Sequence, residues 1–88
     1  MEVPVQLRHR YFERRQHDLA ECLRSLEQGE YPVIEKVGHQ LKGNAASYGY
    51  PELSEIGKKM EHEALMQDRQ QLYNTLGEFA DWIEKRLN

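Results

Sequence analysis

The chain has one cysteine, three prolines and no apolar run long enough to span a bilayer. A lone Cys22 excludes an internal disulfide. Its apolar neighbours make it read as a small core residue. Basic residues are in slight deficit, 12 against 15 acidic, for a net charge of −3. That leaves no basic footprint for nucleic acid. Met1-Glu2-Val3-Pro4 lacks the charged-then-apolar pattern of a secretory leader, so a cytoplasmic setting is expected. No period-two alternation marks a strand. No glycine-rich phosphate loop is present, so autonomous ATP-dependent kinase activity is not expected. His9, His17 and His62 are scattered and lack the spacing of a metal site. Neither a metal nor a cofactor is implied, and no serine or cysteine has the partner a hydrolase nucleophile needs.

What remains is helix. At 88 residues the chain suits one domain, residues 1–88. Pro4, Pro32 and Pro51 each open a helical pattern. Gly29 and Gly49 close two of them, and Asp68 caps the last, with Gln71 as its capping-box partner. Helices are predicted over 4–28, 32–48, 51–66 and 69–87. The first is long enough to be bent or split. Its apolar face is Phe12, Leu19, Cys22, Leu23 and Leu26. The third uses Leu53, Ile56, Gly57, Met60 and Ala64, where Gly57 allows close helix packing. The fourth uses Leu72, Leu76, Phe79, Ala80, Ile83 and Leu87, with Trp82 covering one end. Four amphipathic helices on short connections predict an all-α, antiparallel up-down-up-down four-helix bundle.

The second helix carries the chemistry. Ile34, Val37, Leu41, Ala45 and Tyr48 form its buried face. At about 100° per residue, His39 points roughly 160° away from that face. Lys42, Gly43 and Ala46 are read as facing outward with it. An exposed glycine inside a helix costs about 1 kcal/mol relative to alanine. Gly43 therefore reads as a clearing that lets something approach the imidazole. Ala46 extends the clearing, and Lys42 adds a point cation. An exposed imidazole, an open approach and a cation suit a phosphoryl group arriving on another macromolecule.

Depth along the hairpin formed by the second and third helices places residues near 60 and 61 level with His39. Met60 faces the core. Glu61 sits about 90° off the core stripe and can reach across to the neighbouring helix. It is the expected acceptor for His39 Nδ1, leaving Nε2 to carry phosphate.

The run His39-Gln40-Leu41-Lys42-Gly43, five further residues and then Gly49, resembles the histidine-containing phosphotransfer (HPt) domain family of two-component phosphorelays. Leu53, Ile56, Gly57 and Met60-Glu61 resemble that family's third helix. The resemblance implies a phosphohistidine carrier without kinase activity of its own. His39 would take a phosphoryl group from a receiver-domain aspartate and pass it to another receiver. Gly43 and Ala46 would form the docking surface, Lys42 would supply charge to the phosphate, and Glu61 would orient the imidazole. The implied partners are response-regulator receivers, including one on a hybrid kinase, and the expected state is a monomer that binds neither nucleic acid nor membrane. The rival reading is a non-phosphorylated helical module that binds and sterically regulates a receiver or kinase. Arg8, Arg10, Arg14 and Arg15 cluster near the N-terminus among acidic Glu13, Asp18 and Glu21. Such mixed charge usually forms a solvated face. The alternative to a plain charged face is a contribution to a docking surface for an acidic receiver.

Overall fold

Each helix begins where proline or a side-chain cap permits, and the first three end where one residue turns left-handed. In the computed structural model, which describes residues 4–87, α1 spans Val5–Gln28, α2 Tyr31–Ser47, α3 Pro51–Leu65 and α4 Arg69–Leu87. The Met1-Glu2-Val3 segment read above lies outside the described residues. Pro4 precedes α1, Pro32 sits in the first turn of α2, and Pro51 opens α3. Gly29 (φ 71°), Gly49 (φ 82°) and Gln67 (φ 54°) make the three reversals. At each, the following amide donates back to a carbonyl five residues earlier: Glu30 to Ser25, Tyr50 to Ala45 and Asp68 to Glu63. This closure uses carbonyls that a helix end otherwise leaves without partners. Glycine adopts the left-handed region without strain, whereas Gln67 does so at a cost.

Asp68 caps α4 by accepting from the Gln71 amide at 3.2 Å. The reciprocal half of the expected capping box is not formed, because the Asp68 amide already donates to Glu63. The long first helix is continuous rather than split. It has no internal proline or glycine to interrupt it.

The fold is all-α, a four-helix bundle in which each helix packs on its sequence neighbours and α4 closes back on α1. Ile34, Leu41, Leu53, Met60, Leu72, Leu76 and Phe79 are fully buried at the centre. The α3 stripe is buried throughout, Gly57 included. On α1 the buried residues are Tyr11, Arg15, Cys22, Ser25 and Leu26, while Leu23 is exposed. Leu23 lies about 100° round the helix from Cys22, on the outward side. Similarly on α4, Thr75 and Trp82 are buried and Leu87 is exposed. Trp82 meets Phe12 and Tyr50 edge-on, and those two rings tilt against each other, at the end that holds the α2/α3 turn. At the opposite end the Arg69 guanidinium donates to the Leu26 carbonyl and ties the start of α4 to the end of α1. No described helix is long and apolar enough to cross a membrane.

Candidate functional site

The site is built on the seam between α2 and α3, the most intimate helix pair in the molecule. Two glycines set its spacing. A Cβ added at Gly38 would stand 2.7 Å from the Glu61 amide nitrogen and 2.8 Å from the Gly57 carbonyl. One added at Gly57 would stand 2.6 Å from the Lys42 amide nitrogen and 2.8 Å from the Gly38 carbonyl. No real side chain fits at such distances, so the helices meet backbone to backbone. Each glycine abuts the main chain of a residue in the site. The Ser54 hydroxyl adds a 2.7 Å bond to the Lys42 carbonyl and fixes the register of the pair.

This close approach brings His39, Lys42 and Glu61 together. His39 stands out from the bundle with its side chain 67% exposed. Its Nδ1 lies 2.7 Å from Glu61 Oε2, and Lys42 Nζ donates to Glu61 Oε1 at 3.0 Å. One carboxylate thus uses both oxygens, one on the imidazole and one on the ammonium. Those bonds, from Lys42 first and His39 second, hold the Glu61 carboxyl below the usual carboxylate range. An ionised Glu61 accepts only, so the His39 proton belongs on Nδ1 and the Nε2 lone pair faces outward.

Gly43 has nothing within 4 Å of where its Cβ would be, and Ala46 is exposed one turn on. The cleared approach read from the sequence is therefore open. Lys42 departs from that reading. It is half-covered on the α3 flank and engaged by Glu61, rather than standing free beside the imidazole. Its residue number places it between the core stripe and the outer face, where a long side chain folds toward the nearest carboxylate. Gly38, which precedes His39 and shapes the seam, carries no sequence signal of its own beyond being a glycine inside a helix.

On the other side of α2 lies α1. The Tyr11 hydroxyl donates to Asn44 Oδ1 at 2.6 Å, and Arg15 Nη1 donates to the same oxygen at 3.2 Å. The Arg15 guanidinium also lies 4.4 Å from the centre of the Tyr11 ring, and Tyr11 stacks on Tyr48 at 4.3 Å. Burial raises the Tyr11 hydroxyl above its ordinary pKa. The apolar stripe read for α1 leaves out Tyr11, and the charge pattern puts Arg15 on a solvated face, so hydropathy alone does not find this cluster.

The four-helix bundle thus presents a solvent-facing imidazole bonded to a carboxylate of the adjacent helix. The Hpt domain family model matches residues 6–87, nearly the whole chain, and the chain belongs to that family. Membership places it in the phosphorelays of two-component signalling, where Hpt domains interact with receiver domains. Searches of curated proteins and of solved structures return no match.

Proposed function

We propose that the protein is a phosphocarrier in which His39 Nε2 takes a phosphoryl group from a receiver aspartyl phosphate and delivers it to a second receiver. The observation that carries this reading is the 2.7 Å contact between His39 Nδ1 and Glu61 on a ring otherwise open to solvent. In the forward step the Nε2 lone pair attacks phosphorus, the N–P bond forms, and the P–O bond to the donor aspartate breaks to release its carboxylate. The Nδ1 proton stays on the ring, and the positive charge that develops there is held by ionised Glu61. The reverse step on a second receiver returns the lone pair to Nε2.

Lys42 acts first through Glu61, by fixing the carboxylate that orients the ring. Its ammonium, bonded to the same carboxylate as the imidazole, also offsets charge on an arriving phosphoryl group. Gly43 and Ala46 leave room for the partner's surface. Positioning is the main contribution of such a domain, since phosphoryl transfer depends chiefly on alignment and charge.

The test is incubation with phosphorylated receiver domains from the same cell. Wild type should gain an acid-labile, base-stable phosphoryl group, and His39→Gln should gain none. Equal labelling of the two, or no labelling of wild type, rejects the reading. Binding and full signalling output from His39→Ala would establish the steric module instead.

A further inference from the structure

The molecule is acidic overall, yet one groove beside the site has the opposite sign. It lies between α1 and α2, encloses about 620 Å³, and is lined by Arg10, Arg14, Arg15, Gln40, Asn44 and the two tyrosines already described. Three arginines face it and no carboxylate does. The first half of α1, Val5–Gln16, holds four arginines against Glu13 alone.

This is more than a mixed-charge helix face. Asp18 sits 2.7 Å from Arg15 Nε. Among the described residues, neither Arg10 nor Arg14 forms an ion pair. Both are exposed. The floor of the groove is fixed as well. Arg15 is buried (8% exposed), held by Asn44 and stacked on Tyr11. The groove also adjoins the imidazole. Gln40 and Asn44 line it, and open Gly43 lies between those positions and His39 on the helix surface. A protein lowered onto His39 across Gly43 therefore covers the groove.

We propose that this groove receives a carboxylate-rich segment of the receiver that exchanges phosphate with His39. The inference rests on the phosphocarrier reading. Its chemistry follows from the reaction: an aspartyl phosphate is an anion, and the divalent cation that serves phosphoryl transfer is held by carboxylates. Such a surface carries surplus negative charge, which Arg10 and Arg14 complement. Complementary charge at the rim of an interface acts mainly on the rate of encounter and on its dependence on salt.

The experiment compares wild type, Arg10→Gln/Arg14→Gln, and a charge-matched control, Arg24→Gln/Lys85→Gln, in which both changed residues are exposed and outside the groove. Each is phosphorylated in two ways: by phosphoramidate, a small donor that needs no docking, and by a phosphorylated receiver competent with wild type. The groove variant should accept phosphate from phosphoramidate at the wild-type rate. Transfer from the receiver should slow about tenfold at low salt and lose most of its salt dependence. The control should match wild type in both assays. Receiver transfer by the groove variant at the wild-type rate and salt slope overturns the proposal, as does an equal slowing by the control. Equal slowing with phosphoramidate also overturns it, because the arginines would then act on the imidazole. Wild type that takes phosphate from phosphoramidate but from no receiver overturns the phosphocarrier reading, and this proposal with it.

Discussion

Glu61 shows how one residue ties the site together. Its carboxylate is depressed because the ionised form is bonded twice, by Lys42 and by His39. A group whose folded pKa lies below its unfolded value stabilises the fold above the unfolded pKa, and that stabilisation disappears as pH falls through the folded value. The Glu61 contribution is therefore complete at neutral pH and is lost below the ordinary carboxylate range. Comparing the melting temperatures of wild type and Glu61→Gln from about pH 7 to pH 3 checks this. The gap should be widest near neutrality and close in acid, and a constant gap would contradict it. The imidazole ring nitrogens supply a second readout. In Glu61→Gln their NMR shifts should move toward a mixture of the two neutral tautomers, because an amide can donate as well as accept. Most of this trio was legible from residue order. His39 opposite a clean apolar stripe and Glu61 at equal depth on the next helix are consequences of helical angle and rise. The engagement of Lys42 was not legible, because it depends on where a flexible side chain finds its nearest counter-charge.

Among the elements, the α2/α3 seam governs the geometry. Gly38 and Gly43 stand five positions apart on one helix and should respond oppositely to alanine. At Gly43 the new methyl meets nothing, so the gain in helix propensity, about 1 kcal/mol, goes unopposed. At Gly38 it would stand 2.7 Å from the Glu61 backbone, and overpacking of that kind costs about 1–3 kcal/mol. Thermal denaturation should raise the melting temperature of Gly43→Ala and lower that of Gly38→Ala, each by several degrees at about 4–8 °C per kcal/mol. Gly38→Ala should also relax the Glu61 carboxyl toward its ordinary titration, a change that Gly43→Ala should not produce. Helix existence and the burial of Gly57 were readable from periodicity. Gly38 was not, because its importance lies in a neighbour's backbone rather than in its own helix. The α1 stripe was misjudged for a related reason. Tyr11 and Arg15 are buried by virtue of partners on α2, whereas Leu23 is apolar but faces outward.

Over the molecule as a whole, Cys22 reports on the integrity of the core. It is fully buried, and burial together with nearby Asp18 and Glu21 pushes its thiol up to about 12. A protonated thiol without solvent access does not react. Labelling by a thiol reagent at neutral pH should therefore follow opening of the whole bundle, and Gly38→Ala should accelerate it in proportion to its loss of stability. Rapid labelling of the native protein would show that α1 detaches on its own. The backbone-on-backbone seam has a further effect. The spacing of α2 and α3 is set by main-chain contact at Gly38 and Gly57, so it does not depend on which side chains α1 displays to solvent. On the docking proposal above, new residues on the outer surface of that first helix would redirect whom the domain talks to while the reacting atoms keep their stance.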